Sequence, residues 1–398
     1  MRPRGTRACI ALLQDSDVSL YQNATCPRFP TCTLLSSPIL DSTLLAHVLS
    51  VSIKSLAAKM SVVILGATGN VGRHIVQALL DLGGSLVTQI VACTRQPLSG
   101  PAMALKVAAN SSRTRLCLAK VDMMTSDVDS LAAILSGHEV VVLVMAQGLS
   151  PEEMVGCQKE VAEALSRGMD KHEKQPSGNP PLLVKLSSYG IDGPLSQGPL
   201  GDAHRRGEDL FRSKNLPFVS LRPTSFFSNF EAYDWPSLRA GGRVIRSPLG
   251  PHARVNWVAC QDIGRVAAAV IQEHLETLGN GRQASIPVFR KVDVVGPEGN
   301  TLSAPEVCRV VGECLKKEGT GPGDVEREVR YEETPLPTTE AYRGLWTFLR
   351  AGGFDVADGP GSESGRLLGG KAMTGFRDYI EGLVEGMGEA ETRGLPLN

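Results

Sequence analysis

Ser61-Val-Val-Ile-Leu65 runs without a break into Gly66-Ala-Thr-Gly-Asn-Val-Gly72. The first five residues are a short β-branched apolar run, the pattern of a strand buried on both faces in a parallel sheet. Beyond the glycines, Val71, Ile75, Ala78, Leu79 and Leu82 recur at helical spacing as far as Gly83-Gly84, which reads as a C-terminal stop. Strand, glycine turn and helix together predict a nucleotide-binding crossover. Gly66 lets the chain turn sharply off the strand. Gly69 lets the backbone approach a pyrophosphate without a Cβ in the way, and Gly72 lets the helix pack closely on the sheet, its N-terminus facing the phosphates. The spacing is G-x-x-G-x-x-G, so Thr68, Asn70 and Val71 line the turn.

Working outward, Thr88–Thr94 reads as the second strand and ends at Arg95. A carboxylate at this place would accept hydrogen bonds from a ribose 2′-hydroxyl and select NAD(H). A guanidinium suits a 2′-phosphate, so the expected cofactor is NADP(H) rather than NAD(H). Arg115–Val121 predicts a third strand that delivers Asp122 and Met123 to the carboxyl edge of the sheet, placed to meet an adenine. A helix over Ser130–Leu135 precedes a fourth strand over Glu139–Ala146, where the small side chain of Ala146, followed by Gln147-Gly148, leaves a cofactor room. A helix from Pro151, a fifth strand at Leu182–Ser187 and a sixth at Pro217–Leu221 continue the alternation. The fold class expected is α/β, a Rossmann-type doubly wound parallel sheet with right-handed crossovers and a small α+β C-terminal substrate lobe.

Three segments are expected: 1–59 as a leader, 60–229 as the dinucleotide-binding domain, and 230–398 as the lobe, with some segments returning to the sheet. The leader carries Arg2, Arg4, Arg7, Arg28, Lys54 and Lys59 against Asp15, Asp17 and Asp41, is rich in Ser and Thr, and has no glutamate. Its apolar stretch Ala8–Leu13 is too short for a secretory signal. It reads as a transit-like segment or a disordered leader, or as sequence upstream of a start at Met60. Within the lobe, helices are expected over Ala304–Lys317 (capped by Ser303), Glu340–Arg350 and Gly375–Met387, and a strand over Glu326–Glu332. Asp262 is expected to cap a helix beginning at Ile263.

The 41 basic and 42 acidic residues leave a net charge of −1, which argues against direct nucleic-acid binding. No uninterrupted apolar run approaches the ~20 residues of a membrane span. Nine cysteines without a C-x-x-C pair suggest neither zinc nor a disulfide framework, and no metal site is expected. A reduced cytoplasmic protein is the expectation, with organellar import the alternative if the leader is a transit peptide.

Several further stretches, taken in order, resemble the NmrA-like group of atypical short-chain dehydrogenases/reductases. They are the glycine turn, Leu186-Ser-Ser-Tyr-Gly190, Ala203-His-Arg-Arg-Gly-Glu208-Asp-Leu, and Leu216-Pro-Phe-Val-Ser-Leu-Arg-Pro-Thr-Ser-Phe-Phe-Ser-Asn229. Val255-Asn-Trp-Val-Ala-Cys-Gln-Asp-Ile-Gly264 and Val292-Asp-Val-Val-Gly-Pro297 extend the series. The resemblance implies a Rossmann domain that binds NAD(P)H under a small closing lobe, with Pro223 near the nicotinamide carboxamide. It implies one of two functions: an NADPH-dependent reductase of a small quinone, enal or similar carbonyl compound, or a non-catalytic NADP(H) sensor that acts through a protein partner. The Tyr-x-x-x-Lys relay of the superfamily is absent, and where NmrA-like reductases often carry a lysine four residues before a helical glutamate, this chain has His204 before Glu208. His204, Tyr189 and Ser188 are the candidate catalytic groups. His204 is read either as a proton donor titrating near neutrality or as an exposed helix residue. The hydroxyls at 187–189 are read either as ligand contacts or as local backbone partners.

Overall fold

A computed structural model describes residues 60–84, 86–146, 148–172, 180–193, 197–280, 289–318, 328–357 and 362–392. The leader expected over 1–59, and Gln147, lie outside them. The strands are β1 (Ser61–Leu65), β2 (Gln89–Thr94), β3 (Arg115–Lys120), β4 (Val140–Leu143), β5 (Leu182–Leu186), β6 (Phe218–Pro223), β7 (Ser225–Phe226), β8 (Val244–Ser247), β9 (Arg254–Val258), β10 (Phe289–Val294), β11 (Thr301–Ser303) and β12 (Arg330–Glu333). The helices of the first half are α1 (Gly72–Asp81), α2 (Gly100–Ala109), α3 (Val128–Leu135), α4 (Pro151–His172) and α5 (Gly198–Ser213). Those of the second half are α6 (Phe227–Tyr233), α7 (Trp235–Arg239), α8 (Cys260–Gly279), α9 (Ala304–Glu318), α10 (Glu340–Arg350), α11 (Glu363–Leu367) and α12 (Phe376–Thr392).

Seven strands form one parallel sheet in the order β10-β6-β5-β4-β1-β2-β3. The order reverses between β1 and β4, where an open parallel sheet leaves a crevice beyond its carboxyl ends. Alternate residues of each strand feed opposite faces, as the two-residue period requires. Val62, Ile64, Val142, Val184 and Leu221 pack under α1 and α8. Val63, Leu65, Val141, Leu143, Leu183 and Phe218 pack under α3, α4 and α5. This is the doubly wound α/β architecture that the apolar runs predict.

The chain beyond α6 contributes to both parts. β10 completes the main sheet beside β6, and α8 packs on α1, where a Cβ at Gly264 would lie 2.6 Å from the His74 backbone. The small sheets β11-β9-β7 and β12-β8 build the lobe with α9 and α12 around Phe227, Phe230, Val311, Phe376 and Ile380. Phe227 and Phe230 are thus core residues of the lobe, completely enclosed, while Phe226 is half-buried. Asn256 on β9 is saturated. Its Oδ1 accepts from Thr224 and from the Gly296 amide, and its Nδ2 donates to the Gly296 carbonyl and the Thr301 hydroxyl. One amide therefore ties the lobe to the ends of β6 and β10. Helix α10 lies on α5 where Gly198 and Gly344 abut, since a Cβ at Gly198 would come 2.8 Å from the Gly344 Cα.

One element has no forecast in the sequence, and one expectation differs from the structure. Helix α2 lies in the stretch between β2 and β3. Pro101 stands in its first turn, where a missing N–H costs nothing, and only Ala102 and Leu105 are buried, so its apolar periodicity is weak. Asp262 does not cap its helix. α8 begins two residues earlier, at Cys260, and the wholly buried carboxylate of Asp262 pairs with Arg265 at 2.9 Å and accepts the Thr374 amide at 2.7 Å. It holds the chain before α12 against the first turn of α8. Ser303 does cap α9, through a reciprocal box in which the Ser303 hydroxyl accepts the Glu306 amide and Glu306 accepts the Ser303 amide.

Candidate functional site

The glycine turn follows β1 at the point where the sheet order reverses. Gly66 has φ +80°, and a Cβ there would lie 2.3 Å from the Val144 carbonyl oxygen, so only glycine brings β1 and the chain leaving β4 this close. A Cβ at Gly72 would lie 2.1 Å from the Gly66 carbonyl oxygen, which fixes the first turn of α1 against the loop. Gly69 closes the turn by donating its amide to Gly66. No side chain caps α1 and no acidic residue occupies its first turn. The result is a glycine turn at a helix start with no side-chain cap, the arrangement that suits a pyrophosphate.

The other residues expected to meet a dinucleotide lie at the carboxyl ends of neighbouring strands. Thr68 shares a hydrogen bond of 3.1 Å with Thr94, the last residue of β2, and Arg95 follows it, exposed. Asn70 and Val71 complete the turn, and the Asn70 amide reaches the Ser228 hydroxyl at 3.5 Å. Asp122, beyond β3, organises its own turn by accepting the Met124 amide, and the Met123 carbonyl accepts the Cys157 thiol. Ala146 is half-buried beyond β4. Pro223 ends β6, and its carbonyl accepts the Tyr189 amide at 3.0 Å, which draws the ends of β5 and β6 together. An open cleft of about 460 Å³, lined among others by Gln77, Asp81, Ser112 and Arg113, lies past the end of α1, at the opposite edge of the sheet from this turn.

Beyond β5 the candidate catalytic residues divide into two groups. Ser188 donates to Gln197 Oε1 at 3.1 Å, and Gln197 donates in turn to the Tyr189 carbonyl, so both are tied to the residue just before α5. The Tyr189 ring meets Phe354 edge-on at 6.0 Å among lobe aromatics, and burial pushes its phenol pKa up. His204, on α5, faces a different set of residues. Its Nδ1 lies 3.3 Å from Nζ of Lys185, a fully enclosed side chain on β5. Lys185 also donates to Ser187 Oγ at 3.1 Å, and Ser187 donates to Glu208 at 2.7 Å. Glu208 further accepts from Ser220, from Arg212 and twice from Arg222, whose other edge binds Asp192.

This cluster sets its own protonation states. Burial lowers the Lys185 ammonium to about 7; the charge of Glu208 opposes that shift and the charge of Arg222 adds to it. Burial, with the cations Lys185 and Arg222, holds His204 well below its usual value. At neutral pH His204 is therefore an uncharged ring, not the imidazolium acid that an unperturbed value near neutrality would allow. Burial works against the Glu208 carboxylate, but hydrogen bonds from Arg222, Ser220 and Ser187 and the charge of Lys185 outweigh it and keep its pKa below the ordinary range. Lys185 is the residue that sequence reasoning passes over. It shares the parity of Leu183 in a strand buried on both faces, and that parity was the signal: its side chain must enter the layer under α4 and α5.

A family profile for NAD(P)H-binding proteins matches residues 66–274, just over half of the chain, and the chain belongs to that family. A (4-alkanoyl-5-oxo-2,5-dihydrofuran-3-yl)methyl phosphate reductase of Streptomyces griseus is 26% identical over 284 residues, covering 71% of this chain and 84% of the relative. Among solved structures, an NADPH-dependent quinone oxidoreductase of Escherichia coli complexed with NADPH is 18% identical with TM-score 0.59, covering 81% of this chain and 99% of the other. NmrA, a negative transcriptional regulator in complex with NAD, is 15% identical with TM-score 0.60, covering 85% and 98%. The NAD(P)H-binding family that the resemblance implies is thus shown, and the fold is one the chain shares with NmrA. Among the described residues no helix is long and apolar enough to cross a membrane, and no group of His, Cys, Asp and Glu is arranged to hold a metal.

Proposed function

We propose that this chain is an NADPH-dependent reductase of a small organic acceptor of the quinone, enal or similar carbonyl class. One observation carries the reading: a glycine cradle and a titratable His204–Lys185 pair belong to the same parallel sheet, the cradle beyond β1 and the pair beside β5. The reductase relative and the fold shared with a quinone oxidoreductase support it.

In this reading the turn Gly66–Gly72, with Thr68, Gly69, Asn70 and Val71, would hold the pyrophosphate by backbone amides at the start of α1. Arg95 would meet a 2′-phosphate, Asp122 and Met123 the adenine, Ala146 would leave space, and Pro223 would lie by the carboxamide. Bound NADPH supplies a hydride. The protein's own residues bind, exclude water and orient the acceptor, so most of the rate comes from holding donor and acceptor in contact. Ser188 and Tyr189 would orient the acceptor, and His204 would donate a hydrogen bond to its oxygen from Nε2, the nitrogen turned away from Lys185. Residues 60–229 would form the cofactor domain, and 230–398 would supply the substrate wall while returning β10 and α8 to the sheet.

A second reading, a non-catalytic NADP(H) sensor acting through a protein partner, is favoured by the missing Tyr-x-x-x-Lys and by the fold shared with NmrA. Steady-state NADPH oxidation by the full chain against a panel of quinones and enals separates the two. Acceptor-dependent oxidation is expected. Tight NADPH binding with no oxidation by any member of the panel would replace the reductase with the sensor.

A further inference from the structure

A lysine with no exposed surface is costly unless its ammonium is well satisfied, and a lysine kept only for structure pairs with a carboxylate. Lys185 does not follow that pattern. The buried carboxylate nearby, Glu208, is taken up by Arg222, Arg212, Ser187 and Ser220, and the Lys185 hydrogen bonds go instead to the Ser187 hydroxyl and to the His204 ring. Below pH 7, where Lys185 is an ammonium, its nitrogen has donors and no lone pair, so Nδ1 of His204 is the acceptor. That fixes the ring as the tautomer with its proton on Nε2.

We propose, on the reductase reading above, that Lys185 is a positioning residue for His204: it holds the ring as the neutral Nε2–H tautomer and resupplies at Nδ1 the proton that Nε2 gives away. The hydride that bound NADPH would supply leaves a negative charge on the acceptor oxygen. The Nε2–H bond of His204 breaks and an O–H bond forms on the acceptor. One Nζ–H bond of Lys185 breaks in concert and an Nδ1–H bond forms. The ring remains neutral in its other tautomer, the ammonium becomes an amine, and the acceptor oxyanion becomes a hydroxyl. After product leaves, a proton from water returns to Nε2, and Nδ1 gives its proton back to Lys185. The low proton affinity of His204 suits a conduit, and the depressed value of Lys185, near 7, suits the reservoir behind it. The charged groups that act on the pair are Glu208 from α5 and Arg222 from β6, and behind them Arg212 pairs with Glu208 and Asp192 with Arg222. Glu208, Arg222 and Asp192 are engaged with one another.

Two readouts test this. In the full chain labelled with ¹⁵N-histidine, with no acceptor present, the NMR signals of His204 at pH 6, where Lys185 is an ammonium, are expected to show protonated Nε2 and bare Nδ1. Lys185→Met should convert them to a mixture of tautomers, while Lys185→Arg, which still donates but cannot release a proton, should keep the wild-type pattern. In turnover with a quinone or enal, wild-type kcat should fall tenfold per pH unit above about 7. Both variants should lose that alkaline limb and run on the order of a hundredfold slower at pH 6, the contribution expected of a positioned acid. Thermal melting confirms that each variant is folded, and Met suits an enclosed apolar layer. A ring protonated on Nδ1 in the wild type, or a tautomer or pH limb that survives Lys185→Met, overturns the proposal. Failure of the reductase reading looks different: wild-type protein then oxidises no NADPH with any acceptor.

Discussion

Replacing Glu208 by glutamine keeps the size of the side chain and removes the charge that Arg222 faces. Both groups are enclosed, each about 1% exposed. In the wild type, Oε1 accepts from Ser187, Ser220 and Arg222 Nε, and Oε2 accepts from Arg222 Nη2 and from Arg212 at 3.4 Å. A glutamine can present its oxygen to the first set only by turning an NH₂ toward the second, so donors meet donors. Breaking a buried ion pair by removing one partner costs about 3–5 kcal/mol, because the other charge is left uncompensated. Asp192 still binds the far edge of the guanidinium, so the lower end applies, about 3 kcal/mol. Urea unfolding at pH 7 measures it. The pH dependence has a definite sign. A carboxyl whose folded pKa is depressed contributes stability that is full above its unfolded value, about 4.3, and is lost as pH falls through the lower folded value. Wild type and Glu208→Gln should therefore converge in acid. The double variant Glu208→Leu/Arg222→Met, which removes both charges, should lose less than Glu208→Gln alone. A loss under about 1 kcal/mol at pH 7 for Glu208→Gln, or a double variant worse than the single, would refute the view that this pair braces the end of β6.

Two further outcomes bear on the cofactor. Arg95→Ala should weaken NADPH binding by about 1.5–3 kcal/mol, the worth of a charged hydrogen bond, and leave NADH nearly unchanged; calorimetric titration with both checks it, and equal weakening would remove the 2′-phosphate assignment. Gly66→Ala places a Cβ 2.3 Å from the Val144 oxygen at φ +80°, so it should cost about 2–5 kcal/mol from left-handed strain and overpacking and weaken NADPH. Chemical denaturation and the same titration would show both losses, and an unchanged affinity would move the phosphate site off the turn.

Much of the architecture is legible in the sequence because a parallel sheet writes itself plainly. Ser61–Leu65 and Val140–Leu143 are buried on both faces, so they read as continuous apolar runs, and Gly66 and Gly72 stand where any Cβ would collide with backbone. Helix α2 escapes such a reading because it buries only two residues and so carries little periodicity. The role of Asp262 escapes because its partner amide, Thr374, lies more than a hundred residues away and no local pattern announces it. The site shows the same contrast. Glycines, Arg95 and the hydroxyls of Ser188 and Tyr189 are visible one by one. The pairing of His204 with Lys185 depends on a strand and a helix meeting in space, and burial beside that cation holds the ring uncharged where a solvent-exposed histidine would titrate near neutrality. Lys185 looks in sequence like one polar interruption of a strand, when its parity places it in the buried layer.

The central claim is that this fold delivers a hydride to an organic acceptor with the help of its own proton donor. Single-turnover reaction of the full chain with NADPH deuterated at the nicotinamide C4, followed by mass analysis of the product, tests it most directly. With an enal, whose new carbon–hydrogen bond does not exchange with water, the account predicts one deuterium on the reduced acceptor from one face of the nicotinamide ring only, and a second hydrogen taken from solvent. Stable NADPH across the quinone and enal panel, with no deuterium in any recovered enal, would contradict it.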